Sequence, residues 1–415
     1  MAAVIAMLVI LLAWALVARR LARWNITAAM AMVAAGIVLT AGSDPLVYVG
    51  VDNRIAERLV EVTLALVLFV DATHVPRGIL GREPRVTLRL VAVALPLSLA
   101  LAWAAGFLLL RDEGIWMLGL LAMIVVPTDL APAVAIVRDR RVPSRLREIL
   151  NVESGLNDGL IAPLFLFCLA GAEAPEGDAP VPDALIHAVP AVVVALGVGA
   201  VVGVLSARVL GGAWSRGWTQ PAALRLGVFA LPLLAYTLAL VLDGNGFVAA
   251  FVAGVLFSAS ARRLPGDALA LVEDVGSLLS LAVWFTFGQV VNQVIDAGPG
   301  VEVIVYAVLA LTVVRIVPVM LSLIGSGIDR IDALFLGWLG PRGLASIVFG
   351  LLAFLDLSAP DNVLPIEVMV VTVLLSVVLH GLSSTPIAAA YGRRAAKAGE
   401  TRAGDEARAP ALSDG

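Results

Sequence analysis

Residues 148–170, EILNVESGLNDGLIAPLFLFCLA, decide the fold, because they combine a long apolar run with two acidic side chains in its interior. A helix needs about 20 residues to cross the apolar part of a bilayer, and this stretch is long enough. Glu153 and Asp158 would then lie at membrane depth, where ionisable groups are costly and usually functional. The stretch therefore predicts a membrane-spanning helix with chemistry in its interior.

The whole chain has the same apolar character. Its 415 residues are 60% hydrophobic and 14% charged, and its mean hydropathy is +0.99, whereas soluble domains carry about 25% charged residues. An ordinary soluble protein is excluded, and long Leu/Val/Ala runs favour helices over an outer-membrane barrel. The net charge of −4 and the lack of a basic stripe argue against nucleic acid as a partner. A single cysteine, Cys168, excludes a disulfide framework.

The fold class predicted is an all-α polytopic membrane protein with about thirteen transmembrane helices, two of them broken. The membrane domain covers 1–391, and 392–415 is predicted to be a short disordered cytoplasmic tail because it is rich in Ala, Gly and charged residues. The predicted spans are 3–18, 26–42, 57–74, 86–110, 114–137, 148–170, 184–210, 222–243, 246–261, 271–292, 301–325, 332–356 and 364–391.

The positive charges predict the orientation of these spans. With the N-terminus outside, 23 of the 28 Lys and Arg residues fall on the cytoplasmic side, three fall outside, and two lie within spans. Basic residues concentrate in cytoplasmic loops. We therefore expect a multi-pass protein of the plasma (inner) membrane with its N-terminus outside and its C-terminus inside. The first apolar run has no preceding basic region, so it is expected to be a span rather than a cleaved signal peptide.

Few ionisable side chains lie at bilayer depth, away from the ends of the predicted spans. They are Asp71, Asp129, Glu153, Asp158, Arg315 and Arg342. With a rise of about 1.5 Å per residue, three of the six fall near the middle of a core about 30 Å thick. These three are Asp129, Asp158 and Arg342.

Four polar residues of the sixth span form one strip. Glu153, Ser154, Asn157 and Asp158 lie within an arc of about 140° at about 100° per residue. A hydrogen-bonded strip that holds helices together is the simpler interpretation, but two carboxylates are more than that role needs. Oxygen ligands suit a small hard cation, and a carboxylate can hold a proton instead. We therefore expect the strip to bind a cation or a proton.

Helix-breaking residues interrupt two spans. The fifth contains Pro127 and Pro132 on either side of Asp129, and the twelfth reads GWLGPRG over 337–343, around Arg342. A single proline kink is common and has a structural explanation, because proline removes a backbone donor. Interruptions at corresponding positions of two halves are instead typical of the midplane site of a transporter.

The two interruptions also suggest an inverted repeat. Asp129 and Arg342 are 213 residues apart, on spans that run in opposite directions in the predicted topology. Half-helix N-termini carry partial positive charge and C-termini partial negative charge. We expect Asp129 to compensate N-terminal ends at one interruption and Arg342 to compensate C-terminal ends at the other.

Arg315 requires a partner, because an unpaired guanidinium at membrane depth is costly. Glu153 is the natural candidate, and this pair would leave Asp158 to titrate alone. Alternatively, Arg315 points into a water-filled vestibule.

The motifs of this sequence resemble those of monovalent cation/proton antiporters of the NhaP/NHE (sodium/hydrogen exchanger) family. The matching stretches are Phe69-Val70-Asp71-Ala72, Pro127-Thr128-Asp129, 153–159 (ESGLNDG), 246–254 (GFVAAFVAG) and Gly340-Pro341-Arg342-Gly343. One departure follows Asp71, where Ala-Thr-His replaces the glycines frequent in the family. With this departure, Asp71 is expected to cap a helix or to pair with Arg77, and His74 to lie at the membrane interface.

The resemblance implies a homodimer, in which each protomer has a dimerisation part and a six-helix transport core. It implies that Asp158 binds the cation or proton, with oxygens from Ser154, Thr128 and Asp129. Na⁺ would be held by Asp158, Ser154 and Thr128. Supporting roles are implied for Asn157, Glu153, Arg315 and Arg342. The Asn-Asp pair is similar to that of electroneutral exchangers.

The predicted function is exchange of Na⁺ or Li⁺ for H⁺ by alternating access, with both ions competing for one carboxylate. No resident cofactor and no enzymatic activity are expected. A K⁺/H⁺ antiporter is the principal alternative, followed by a cation-coupled solute symporter and a channel. An intramembrane aspartyl protease would need a Gly-x-Gly-Asp motif, which neither Asp129 nor Asp158 occupies. A zinc enzyme is disfavoured because the three histidines are scattered.

Overall fold

A computed structural model describes residues 2–22, 24, 26–41, 54–74, 81–133, 136–137, 139–173, 181–261 and 263–408. Every regular element in these residues is helical. The first nine α-helices are α1 Ala2–Ala22, α2 Ala28–Thr40, α3 Arg54–His74, α4 Pro84–Arg89, α5 Leu95–Leu109, α6 Ile115–Val125, α7 Ser144–Ala172, α8 Val181–Ser215 and α9 Pro221–Val241. They are followed by α10 Gly246–Ser260, α11 Ala270–Ala297, α12 Val301–Leu311, α13 Val313–Ser322, α14 Arg330–Trp338, α15 Leu344–Asp356 and α16 Val363–Arg408.

Each of the thirteen predicted spans contains one of these helices or two in succession. Within the described residues, seven continuous helical segments are long and apolar enough to cross a bilayer, and four apolar helices are shorter. The seven are Pro84–Leu109, Ser144–Ala172, Ala188–Ser215, Pro221–Val241, Ala270–Ala297, Val301–Ser322 and Val363–Arg394. The all-helical membrane fold is therefore confirmed, while the number of thirteen crossings stays a prediction.

Both interruptions predicted from Pro and Gly are present. α6 ends at Val125, the residues around Thr128 have no regular secondary structure, and a short 3₁₀ turn, Ala131–Ala133, follows them. α14 ends at Trp338, and α15 begins only at Leu344. Pro127 and Pro341 explain the breaks, because a proline cannot donate to the preceding turn and disfavours helix at the residue before it.

The two half-helices next to these interruptions lie at the centre of the bundle. Every residue of α6 from Trp116 to Val125 is buried, and so is every residue of α15 from Leu344 to Ala353. A helix that is apolar and buried on all sides belongs to the interior of a bundle rather than to its lipid-facing surface. α7 packs against both, and the rings of Phe165 and Phe349 stack with centroids 4.4 Å apart.

A second packed group contains α3, α8, α9, α10 and α11: α3 contacts α9, α10 and α11, and α8 contacts α9 and α10. Here glycines allow very close approach: a Cβ on Gly254 of α10 would overlap Ala72 of α3, and one on Gly203 of α8 would overlap Ala253 of α10. α3 also contacts α7 and α15, and thus joins this group to the central half-helices.

The last helix extends into 392–415, the segment that composition predicts to be a tail. α16 continues as a helix to Arg408, and 409–415 lie outside the described residues. Alanine, glutamate, lysine and arginine are strong helix formers, which accounts for this continuation. The part of α16 around residues 391–394 is held to the start of α14, because Tyr391 donates a 2.8 Å hydrogen bond to Asp332 and Arg394 pairs with Asp329.

Candidate functional site

The polar strip of α7 is buried inside the bundle. Glu153, Asn157 and Asp158 are buried side chains, and Ser154 is half-buried. α7 is continuous helix through all four, so the strip has the one-face geometry that its spacing predicts.

The strip contacts the first interruption through Thr128. The Ser154 hydroxyl donates to the Thr128 carbonyl oxygen at 2.8 Å, and the Asn157 amide donates to the Thr128 hydroxyl at 3.1 Å. The backbone carbonyl is free to accept because α6 has ended at Val125. The interruption thus provides two oxygens, a carbonyl and a hydroxyl, at the face of α7 that carries Asp158.

Asp129 joins the two interruptions. Its carboxylate accepts from the N–H of Leu344, the first residue of α15, at 2.7 Å, and from the N–H of Ala131 at 2.8 Å. Its own N–H donates to the carbonyl of Pro341 at 2.8 Å. A carboxylate at helix N-termini offsets the partial positive charge there, the role expected for Asp129. A Cβ on Gly343 would overlap this carboxylate, so close approach of the two segments needs a glycine there.

Arg342 lies on the opposite kind of helix end. Its side chain is completely buried. The guanidinium donates to the carbonyls of Val125 and Gly340, and at 3.0 Å to that of Ala310. Val125 is the last residue of α6, and Ala310 is next to last in α12. The contacts agree with the expected compensation of C-terminal ends, although they reach three segments rather than one.

Arg315 and Glu153 form the expected ion pair. The two guanidinium nitrogens lie 2.5 and 2.9 Å from the two carboxylate oxygens, and both side chains are buried. Arg315 also donates to the carbonyl of Leu336 at 3.3 Å. The fork geometry makes the pair strong and directional. The pair connects α13 to the strip of α7 and accounts for the charge of Glu153.

Asp158 is left as the buried acid of the strip without an ion-pair partner among the described residues. Its Oδ1 atom is buried and has no hydrogen-bond partner within the described part of the chain, and the same holds for Oδ1 of Asn157. Buried polar atoms are normally satisfied, so an orphaned carboxylate oxygen indicates a place for a ligand, a proton or a water molecule. No cluster of three or more His, Cys, Asp or Glu ligands occurs in the described residues.

Asp71 is closer to the strip than the sequence indicates. It lies within electrostatic range of Asp158 and Asp129. It also lines a cavity of about 400 Å³, together with Ala131 beside the first interruption and Glu273 near the start of α11. The side chain of His74 and all of Arg77 lie outside the described residues, so the suggested pairing of Asp71 with Arg77 stays a prediction.

Sequence reasoning missed the contribution of α16. Ser376 accepts a hydrogen bond from the backbone N–H of Arg342 at 2.6 Å, and His380 contacts the carbonyl of Trp338 at 2.9 Å. The available signal was a spacing of four residues between polar side chains in an apolar helix, at Thr372, Ser376, His380 and Ser384. Treating the histidines only as possible metal ligands hid this pattern.

Fold and site together define a class: polytopic helical membrane proteins in which discontinuous helices meet at a buried carboxylate, an arrangement typical of secondary transporters. The chain belongs to the sodium/hydrogen exchanger family, since the sequence model described as "Sodium/hydrogen exchanger, transmembrane" matches residues 4–390. The resemblance to NhaP/NHE-type antiporters is thereby confirmed. The family is one of transporters rather than enzymes.

Individual relatives agree with this membership. The K(+)/H(+) antiporter NhaP of Alkalimonas amylolytica is 27% identical in an alignment 386 residues long, which covers 85% of this chain and 60% of the relative. A Na(+)/H(+) antiporter of Schizosaccharomyces pombe is 26% identical, over 77% of this chain and 71% of the relative. The chain therefore spans only part of the length of both relatives.

A solved structure has the same fold. The sodium proton antiporter MjNhaP1 from Methanocaldococcus jannaschii superimposes with a TM-score of 0.75 and covers 93% of this chain and 97% of its own, at 18% identity. At this level of sequence identity, the superposition shows a shared fold and nothing further.

Proposed function

We propose that this protein is a secondary antiporter that exchanges Na⁺ or Li⁺ for H⁺ at Asp158. The observation that carries the proposal is the buried, unpartnered Oδ1 of Asp158, one helical turn from Ser154 on the face that meets Thr128. A carboxylate, a hydroxyl and a carbonyl are the hard oxygen ligands that a small cation prefers. The same carboxylate can be neutralised by a proton, so the two ions exclude each other.

Each neighbour then has a defined task. Ser154 and Thr128 supply oxygens to the cation, and Asn157 holds the Thr128 hydroxyl. Asp129 primarily stabilises two helix N-termini, and one lone pair on each of its oxygens is left for the cation. Glu153 and Arg315 neutralise each other, so Arg315 is not available to compensate the charge of Asp158.

The two interrupted segments are proposed to be crossing helices of an inverted repeat within a thirteen-span domain, residues 1–391. Contacts between Asp129 and both Pro341 and Leu344 support this arrangement. A six-helix core would carry the site and move against a dimerisation part in a homodimer. We place the protein in the plasma (inner) membrane with its C-terminus in the cytoplasm, because of its charge distribution. No resident cofactor takes part.

The cavity lined by Asp71 and Glu273 is the proposed access route to the site. In the proposed topology, Glu273 lies at the cytoplasmic end of α11, and the cavity reaches Ala131 beside the first interruption. A passage open to one side only is what alternating access requires. Antiport then follows if the empty, charged form of Asp158 crosses poorly, because a buried uncompensated charge is costly.

Exchange of K⁺ for H⁺ is the second candidate. It is favoured by the similarity to the relative named as a K(+)/H(+) antiporter. Selectivity depends on small differences in oxygen placement, and the ligand types are the same for both ions.

Both candidates are tested with purified protein in liposomes loaded with a pH-sensitive dye. Addition of Na⁺, Li⁺ or K⁺ to vesicles with an imposed pH gradient should dissipate the gradient, and the effective cations identify the substrate. Rates of Na⁺- or Li⁺-driven proton movement that are unchanged by an imposed membrane potential would support electroneutral exchange. If none of the three cations moves protons, the proposed function is wrong.

Competition makes a further prediction for the pH dependence. Lowering the pH protonates Asp158 and should raise the apparent KM for the cation while leaving the maximal rate at saturating cation unchanged. The measurement is a set of cation titrations at several symmetrical pH values. A KM that does not change with pH would show that cation and proton use separate sites.

A further inference from the structure

α16 carries a stripe of buried polar side chains that the proposed function does not use. Thr372, Ser376, His380 and Ser384 recur every four residues, and each is at most 2% exposed. Residues at this spacing share one face of a helix. The middle two, Ser376 and His380, contact the second interruption directly.

His380 holds the last residue of α14. Its Nε2 atom is 2.9 Å from the carbonyl oxygen of Trp338, and the two rings stack with centroids 5.4 Å apart. The indole N–H of Trp338 donates to Ser383 at 3.0 Å. A carbonyl oxygen can only accept, so the proton between His380 and Trp338 belongs to Nε2.

The other ring nitrogen faces Ser376. Nδ1 lies 3.2 Å from the Ser376 hydroxyl and 2.9 Å from the Ser376 carbonyl oxygen. In the neutral tautomer with its proton on Nε2, Nδ1 is an acceptor and the Ser376 hydroxyl is its donor, whereas the tautomer with its proton on Nδ1 would donate to the Ser376 carbonyl oxygen. The hydroxyl oxygen in turn accepts the backbone N–H of Arg342 at 2.6 Å.

With the His380 proton on Nε2, the contacts form one chain of hydrogen bonds across the interruption. It runs from the Arg342 N–H to the Ser376 hydroxyl, then to His380, and then to the Trp338 carbonyl. Trp338 and Arg342 lie at opposite ends of the break between α14 and α15. Arg342 also binds the carbonyl of Val125 at the end of α6, two residues before Pro127.

We propose that His380 is a positioning residue for the cation site, which rests on the proposed function. It fixes the end of α14 relative to Arg342, and through Arg342 it fixes the end of α6 that presents Thr128. His380 itself does not contact the cation.

Two substitutions separate hydrogen bonding from packing. His380→Phe keeps an aromatic ring against Trp338 but removes both ring nitrogens, whereas His380→Gln keeps a donor that can reach the Trp338 carbonyl. Cation titrations in liposomes should give an apparent KM about fivefold to tenfold above that of the wild type for His380→Phe, the scale of one buried hydrogen bond. His380→Gln should stay within about twofold of the wild type.

Ser384→Ala is the matched control. Ser384 is equally buried on the same stripe, but its hydroxyl donates only to the helix carbonyl of His380. The KM of the Ser384→Ala variant for the cation should equal that of the wild type. A wild-type KM for His380→Phe, or equal impairment of His380→Phe and His380→Gln, would overturn the proposal.

Ser376→Ala removes the middle of the chain and serves where His380→Phe does not fold. It should raise KM as much as His380→Phe, and the double variant should be no worse than either single variant, since both break one chain. Additive losses would contradict a shared chain.

A spectroscopic measurement keeps this inference separate from the proposed function. In ¹⁵N-histidine-labelled protein at neutral pH, the signal absent from His380→Gln should be that of a neutral ring protonated at Nε2, with Nδ1 accepting. A ring protonated at Nδ1, alone or together with Nε2, would overturn the chain. If the wild type exchanges no cation, the proposed function is wrong. The protonation state of His380 still shows whether the hydrogen bonds from Arg342 to Trp338 run as proposed.

Discussion

The buried positive charge of Arg342 is compensated by backbone carbonyl groups rather than by an acidic side chain. Its guanidinium donates to three carbonyls, those of Val125, Gly340 and Ala310. Carbonyls at the C-terminal ends of helices carry partial negative charge, so one planar cation can satisfy several of them. The cost of burying the charge is offset by groups that would otherwise be unsatisfied at the interruptions.

Arg342→Lys should therefore reduce transport at least about tenfold, because an ammonium lacks the fork that reaches three carbonyls. Initial rates in liposomes, normalised to reconstituted protein, measure the loss. Arg111→Lys is the control: Arg111 also donates to a helix carbonyl, that of Leu108, but at an exposed position. Equal transport rates of Arg342→Lys and wild type would show that transport does not require the guanidinium fork of Arg342.

The pair of Glu153 and Arg315 gives a prediction about stability. Glu153→Leu should lower the free energy of unfolding by about 3–5 kcal/mol, because it leaves a guanidinium buried without its partner. Denaturant titration in detergent measures this, and the exchanged pair Glu153→Arg with Arg315→Glu should recover part of the loss. Glu83→Gln breaks the more exposed pair of Glu83 with Arg145 and should cost less than about 1 kcal/mol. Similar losses for both single variants would contradict the importance of burial.

At the scale of elements, the site depends on two half-helices ending close to each other. Their ends create the free carbonyls and N–H groups that a continuous helix would consume internally. Thr128 offers its carbonyl to Ser154 for this reason, and Asp129 receives the N–H of Leu344. The interruptions therefore leave backbone carbonyl and N–H groups available to the site, in addition to bending the helices.

Gly343→Ala tests this close approach. A Cβ at Gly343 would overlap the Asp129 carboxylate, so we expect a loss of transport and a lower melting temperature in detergent. Gly197→Ala is the matched control, because nothing lies within 4 Å of a Cβ at that exposed position of α8. There the replacement should stabilise slightly, as alanine favours helix. Tolerance of both substitutions would mean that the second segment does not need to approach Asp129.

Sequence reasoning predicted these elements unevenly, for physical reasons. The strip of α7 and the breaks at Pro127 and Pro341 follow from helical spacing and from proline geometry, which are local. Local rules could not predict that Ser376 and His380 meet the interruption, because that depends on how α16 packs against α14. The electrostatic interaction of Asp71 with Asp158 likewise depends on how α3 packs against α7. The Arg315 and Glu153 pair was predictable because few buried acids were available to an arginine at that depth.

At the scale of the whole molecule, the charge distribution predicts an orientation. Cys168 is the only cysteine in the chain, and Cys168→Ala gives a background for introduced labels. Asp112→Cys and Gln220→Cys place thiols at exposed loop positions on opposite predicted sides. A membrane-impermeant maleimide should label the first in intact cells and the second only after permeabilisation. The reverse pattern would invert the proposed topology.

The central claim is that one buried carboxylate, Asp158, binds either the cation or the proton. The most direct measurement compares cation-driven proton movement in liposomes for Asp158→Asn and for Asp296→Asn, the same substitution at an exposed acid at the end of α11. We expect Asp158→Asn to reconstitute in normal amounts and to show no exchange above that of empty liposomes, while Asp296→Asn behaves as the wild type. Robust cation/proton exchange by folded Asp158→Asn would contradict it.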